Sequence, residues 1–196
     1  MYYKVIDDFL PEQNLISLYN SILSDKVKWT FNDSVAFKSD TTGFYFYSVL
    51  FELIMQAHRS KYTTISSDGT TTTHDIESVG SHPDIVKEIQ ILSNKIHDEL
   101  APWANSLIRI RACLYTRSDN IIEHAFHTDC DLDHLAMIFY LNDNNGYTRL
   151  KIDDKIIKIE SKQNRLLIMD GEIEHASSTC TDNDMRAVIN FNFSVN

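Results

Sequence analysis

Glycine and proline are scarce in this 196-residue chain, at five and three residues, which excludes a collagen-like or low-complexity protein. No uninterrupted apolar run approaches the roughly 18 residues of a membrane span. The opening MYYKVIDDFLPEQ has neither the basic region nor the apolar stretch of a secretory signal. Cysteines are few and odd in number: Cys113, Cys130 and Cys180 sit at no zinc-finger spacing. They suit free thiols in a reducing compartment, and so a cytoplasmic location. Positive charge is also short, with 18 Lys and Arg against 28 Asp and Glu and a net charge of −10. That balance disfavours gripping a nucleic-acid backbone over the whole surface. The local cluster Lys151, Lys155, Lys158, Lys162 and Arg165 fits lysine-blunted strand edges. Apolar residues are not lacking: 43% hydrophobic and 11% aromatic content is ample for one packed domain of this length.

Along the chain, YYKVID alternates as a strand and leads to a helix in which Pro11 lies near the start and Leu15, Leu18 and Ile22 recur at helical spacing. Residues 44–58, FYFYSVLFELIMQAH, read as a strand followed by a helix. The stretch 59–81 is polar, rich in Thr and Ser and without periodicity, so a long loop is expected there, either disordered or a functional lid. In HPDIVKEIQILSNKIHDELAP, residues Ile85, Ile89, Leu92, Ile96 and Leu100 share one helical face, bracketed by Pro83 and Pro102. From Leu107 onward eight short β-rich runs follow one another, separated by Asn, Asp and Gly turns. Their spacing suggests a sandwich or barrel of antiparallel strands, jelly rolls included. The expected architecture is an N-terminal helical layer packed on a C-terminal all-β half.

The segment EHAFHTDCDLDH, residues 123–134, crowds metal-capable side chains together. Laid on a strand, NIIEHAFHTD puts Ile121, Glu123, Ala125, His127 and Asp129 on one face and Ile122, His124, Phe126 and Thr128 on the other. His127 and Asp129 can then reach one ion at the strand end, while His124 points away as a packing or surface residue. A lone H-x-D triplet fits a solvated acidic turn as well as a metal site. A mononuclear non-haem iron site needs two histidines and one carboxylate on one face, with positions left open. The candidate for the second histidine is His175 in EIEHASST. The triplet His82-Pro83-Asp84 is a decoy at a helix start, and His97-Asp98-Glu99 lies on a helix where positions two apart diverge.

The triplet at 127–129 is followed by AMIFYLN with NNGYT, then NRLLIMDGEIEHASS, then an arginine opening MRAVINFNFS. In that order these elements resemble the 2-oxoglutarate- and iron(II)-dependent oxygenases, most of all their prolyl-4-hydroxylase-like branch and its small phage-encoded members. The resemblance covers residues 107–195 well and extends loosely to VIDDFLPEQ. It implies an α+β, mainly β fold, a double-stranded β-helix or jelly roll with N-terminal helices packed outside. It also implies one oxygenase domain over 1–196, with 1–106 as helical support carrying the candidate lid and 107–196 as the core.

By position, the resemblance implies that His127, Asp129 and His175 hold Fe(II) and that Arg186 binds the distal carboxylate of 2-oxoglutarate, for which a guanidinium offers two parallel donors. Tyr140 falls where the family often places a hydroxyl on that carboxylate, and Tyr115 where a tyrosine lines the cosubstrate pocket. Alternation sets Arg186, Val188, Asn190 and Asn192 on one strand face, opposite Ala187, Ile189, Phe191 and Phe193. Arg109, Arg111, Cys113 and Tyr115 share another face, making Arg111 a rival or helper for Arg186. Thr148 matches the threonine of a Gly-Gly-x-Thr turn, but Asn145 replaces the first glycine, which leaves its role open.

The implied activity is hydroxylation of a C–H bond, consuming dioxygen and 2-oxoglutarate and releasing succinate and carbon dioxide, with ascorbate as an accessory reductant. The leading substrate expectation is a peptide or protein side chain such as proline. A small-molecule or nucleobase substrate is the alternative, although nothing after Arg186 supplies the second arginine common in the nucleobase branch. A non-catalytic binding or virion-associated β-domain is a third reading. For a virus-encoded protein, the site of action would be the host cytoplasm.

Overall fold

Leu15, Leu18 and Ile22 are buried along α1 (Glu12–Ile22), as their spacing predicts. Ile85, Ile89, Leu92, Ile96 and Leu100 are buried along α2 (Pro83–Leu100). Pro11 stands at the N-cap of α1 and Pro83 opens α2, positions where a missing N–H costs nothing. The two helices pack on one face of a sheet. The computed structural model describes residues 1–52, 61–65, 71–75, 83–100 and 104–195. Among these, no helix is long and apolar enough to cross a membrane.

The strands are β1 (Tyr3–Ile6), β2 (Thr30–Asn32), β3 (Tyr45–Glu52), β4 (Lys61–Ile65), β5 (Thr71–Asp75), β6 (Ala104–Thr116) and β7 (His134–Tyr140). They continue as β8 (Tyr147–Ile152), β9 (Lys155–Glu160), β10 (Arg165–Asp170), β11 (His175–Ala176) and β12 (Met185–Val195). A seven-stranded antiparallel sheet runs β1-β10-β7-β12-β6-β3-β2, and a smaller sheet runs β11-β8-β9. Isolated bridges from Glu123 to Ser178 and from His127 to His175 extend the smaller sheet by one irregular segment. Two opposed antiparallel sheets with helices outside are the expected mainly β jelly roll.

Alternation along the central strands sorts two cores. Ala187, Ile189, Phe191 and Phe193 of β12 join Met137, Phe139, Leu166 and the helix residues in an outer core. Val188 joins Tyr115, Tyr140, Leu150 and Leu167 in an inner core between the sheets. The candidate residues Tyr115 and Tyr140 project into this inner space.

Four expectations change. The N-terminal part is more than a helical layer, because β1, β2 and β3 are strands of the main sheet. Residues 59–81 are not wholly loop: β4 and β5 pair in an antiparallel hairpin, with Thr63 opposite Thr73. Threonine is β-branched and favours extended backbone whatever its polarity, so polar composition was the wrong signal. The rest of 59–81, and with it the lid, lies outside the described residues, as do 53–58 and the helix expected there. NIIEHAFHTD is not a continuous strand; it touches the sheet only at the two bridges. EIEHASSTC likewise contributes a strand of two residues, its backbone turning to place side chains rather than to extend a ladder.

Candidate metal centre

His127 and His175 face each other across an antiparallel bridge. The N–H of each donates to the carbonyl of the other at 3.0 and 2.9 Å, and the ring centroids are 4.8 Å apart. Asp129, two residues on, turns into the same space with its Oδ1 4.0 Å from His175 Nε2. One ligand atom from each of the three lies within 4.8 Å of the others.

The donor chemistry fits a cation. His127 Nδ1 donates to the Ala125 carbonyl at 3.4 Å, and His175 Nδ1 donates to the Ile173 carbonyl at 3.1 Å. A carbonyl only accepts, so each neutral ring carries its proton on Nδ1 and keeps the Nε2 lone pair for an ion. Burial, reinforced by His175, pushes the His127 imidazole below its ordinary pKa and keeps it neutral. Burial alone would raise the Asp129 carboxyl. Interactions with His175, the Arg109 guanidinium and the Asn192 amide override it and hold Asp129 well below the usual carboxylate range. Two neutral imidazoles and one carboxylate leave a divalent ion with residual positive charge and open positions.

Arg186 lies further into the inner core, only 1% exposed although it is an arginine. Its Nε donates to Ser161 Oγ and its Nη2 to Thr148 Oγ1, both at 2.8 Å. The guanidinium stacks near the rings of Tyr115 and Tyr140, 5.3 and 5.6 Å from their centroids. No carboxylate pairs with it among the described residues, and its Nη1 is buried without a partner. A buried cation lacking a counter-ion is costly unless an anion completes the site. Thr148 Oγ1 also accepts the Tyr140 hydroxyl at 2.8 Å, so both its lone pairs are used and its own proton is left to donate. Arg186 Nη1 and the Thr148 hydroxyl are therefore two free donors side by side, the pattern a carboxylate matches.

Tyr140 is fully buried with its hydroxyl committed to Thr148, so its reach toward a ligand runs through that threonine. Tyr115 is sandwiched between Tyr45 and His124, with centroids at 5.6 and 5.3 Å, and burial raises its phenol. Arg111 lies over Tyr47 at 4.9 Å and lines a cavity of about 100 Å³ with His127, Asp129, Tyr115 and Asn190. His124 is the packing residue expected, 1% exposed with Nδ1 2.8 Å from Ser177 Oγ. Cys113, in the cavity wall, has its thiol pushed up to about 12 by burial, which suits an inert thiol. All three cysteines are free.

Glu123 leaves the face that alternation gave it and binds Tyr147, Arg149 and Lys158 outside. Lys162 and Arg165 pair with Asp7, Lys151 with Glu174 and Lys158 with Glu123, so four of the five cationic residues of the basic cluster are ion-paired. His97 packs on Phe193, and His82 lies outside the described residues. Sequence reasoning missed the partners of Asp129, namely Arg109 and Asn192, although inward alternation on two neighbouring strands was a signal for both. Val35, Ala36 and Tyr45 of the cavity wall carried no signal, since only folding brings them there.

No family model matches the sequence, and no curated protein matches it. Solved structures do share its shape. A prolyl hydroxylase from Trichoplax adhaerens, in complex with a hypoxia-inducible-factor peptide, is similar over 98% of this chain and 83% of its own, with TM-score 0.62 and 14% identity. A 2OG-Fe(II) oxygenase family oxidoreductase from Burkholderia pseudomallei is similar over 98% and 85%, with TM-score 0.64 and 9% identity. HygX from Streptomyces hygroscopicus, solved with nickel and 2-oxoglutarate bound, is similar over 98% and 82%, with TM-score 0.60 and 8% identity. The chain has the jelly-roll fold on which these oxygenases are built, as the sequence resemblance implies. Prolyl hydroxylase is among the structures of that shape.

Proposed function

We propose that this chain, as a single domain over 1–196, is a 2-oxoglutarate- and iron(II)-dependent dioxygenase that hydroxylates a C–H bond. The observation that carries the reading is the convergence of His127, Asp129 and His175, together with a buried guanidinium, packed on the cavity-wall residue Tyr115, that no carboxylate among the described residues neutralises. His127, Asp129 and His175 would hold the ion, and Arg186 with Thr148 would bind the distal carboxylate of 2-oxoglutarate. When bound, the ion supplies the dioxygen activation that side chains cannot. The protein's own part is orientation and dryness. The Ala125 and Ile173 carbonyls fix the two imidazoles, and Tyr115 and Tyr140 wall the guanidinium from water.

The substrate reading is a peptide or protein side chain, proline first. Likeness in fold to a prolyl hydroxylase with a bound peptide supports it. The net charge of −10 suits a neutral or basic polypeptide better than a polyanion. Three free thiols fit a reducing, cytoplasmic setting.

The test is calorimetric binding of 2-oxoglutarate to the Mn(II)-loaded protein, followed by succinate release from the Fe(II) form with proline-containing peptides, nucleobases and small metabolites. Succinate release raised by peptides alone supports the full reading, and stimulation only by the other classes replaces the substrate half. Absence of 2-oxoglutarate binding sinks the oxygenase itself.

A further inference from the structure

Tyr115, the ring against which Arg186 lies, is held from both sides. Tyr45 of β3 stacks on one face at 20° between the ring planes, and His124 on the other at 27°. His124 is itself fixed. Its backbone N–H donates to the Ser177 carbonyl at 3.0 Å, and its Nδ1 shares a 2.8 Å hydrogen bond with Ser177 Oγ. Ser177 also hydrogen-bonds the Tyr115 hydroxyl, so one serine ties the imidazole to the phenol it stacks on. The imidazole is buried, and its Nε2 has no hydrogen-bond partner among the described residues. An unpaired buried nitrogen is unfavourable, and a phenyl ring would stack without it. The bond to Ser177 is what the histidine adds.

Gly43 closes on that unpaired edge. A Cβ there would meet His124 Nε2 at 2.9 Å and Cδ2 at 3.0 Å, while the next atom, on Val35, is 3.9 Å away. The segment 33–44 between β2 and β3 is pinned nearby, where Thr42 Oγ1 accepts the Ala125 N–H at 3.3 Å. The same segment supplies Val35 and Ala36 to the cavity wall. We propose that His124 is a positioning residue of the 2-oxoglutarate pocket, holding Tyr115 against the Arg186 guanidinium, and that the 33–44 segment bears on it through Gly43. The inference rests on the reading of Arg186 given above. A guanidinium walled from water binds a carboxylate more strongly than an exposed one, and Tyr115 is part of that wall. If the imidazole shifts, Tyr115 loses one face of its stack and water reaches the charge. A displacement of 33–44 is thereby felt at Arg186 through two rings.

The competing role is plain packing, in which His124 supports the fold and nothing else. Calorimetry of 2-oxoglutarate binding to the Mn(II)-loaded full chain, with melting curves alongside, separates the two. His124→Ala should keep the wild-type Mn(II) affinity and lose about tenfold in 2-oxoglutarate affinity. Gly43→Ala leaves every residue of the pocket in place and adds one methyl group against the imidazole, so it should weaken 2-oxoglutarate binding in the same direction. In the His124→Ala background that methyl meets vacated space, and Gly43→Ala should cost nothing further, a coupling that a double-mutant cycle reads. If His124→Ala does not fold, Ser177→Ala takes its place, since it removes the bonds to both rings and leaves the rings themselves; it should show the same loss. Folded variants that bind 2-oxoglutarate like wild type, losing only thermal stability, overturn the proposal, as do losses that simply add in the double variant. A wild type that binds Mn(II) but no 2-oxoglutarate overturns the reading of Arg186 instead, and does so before any variant is compared.

Discussion

Arg186 sits where an arginine has no reason to be unless something negative visits it. Its Nε and Nη2 are engaged by hydroxyls, its Nη1 by nothing among the described residues, and tyrosine rings flank it. Arg186→Met should leave Mn(II) affinity at the wild-type level and abolish 2-oxoglutarate binding, both read by calorimetry. Thr148→Val keeps shape but strips the acceptor shared by Arg186 and Tyr140. Two buried donors lose their partner, and urea unfolding should show a loss of about 1–3 kcal/mol. These two residues differ in how legible they were. The strand pattern alone put Arg186 on the polar inner face, and the resemblance gave it a task. The role of Thr148 was hidden because it depends on where β7, β8 and β12 converge, which no local spacing encodes.

Elements divide in the same way. The helices and central strands followed from periodicity because each buries one continuous face, and burial of that face is what their sequence pattern records. In α2, Leu92 is fully buried, and Leu92→Ala should cost about 2–5 kcal/mol in denaturant unfolding. The two segments that carry the candidate ligands were less legible. Residues 123–129 and 175–180 join the smaller sheet by short bridges, since their backbone is bent to aim imidazoles inward. The turn into β8 shows the same dependence on neighbours. A Cβ on Gly146 would meet the Thr179 carbonyl at 2.7 Å and Arg186 Cδ at 2.8 Å. The turn's glycine is needed for that close approach, which Asn145 before it does not prevent.

At the scale of the whole molecule, stability should follow pH and metal. Burial pushes the buried His124 down to about 4 from an unfolded value near 6.5. The unfolded chain therefore binds its proton first. This contribution is full above pH 6.5 and is lost as pH falls toward 4. Melting curves of the metal-free protein should drop across that window. His124→Gln should flatten the slope, with His127, lowered in the same direction, leaving a residue of it. Divalent metal at about a hundred times its dissociation constant should stabilise the fold by about 2.7 kcal/mol, reversed by chelator and absent in His175→Ala. The sequence by itself determined the mainly β class, the two amphipathic helices, the inward faces of β6 and β12 and the identity of the ligand-type residues. These are properties of periodicity and side-chain chemistry, which are local. Only the tertiary structure decided that His127 and His175 meet across a bridge, that Thr148 and Ser161 receive Arg186, and that Arg109 and Asn192 grip Asp129. Those contacts join residues far apart in the chain, and their distances exist only once two sheets have closed around one cavity.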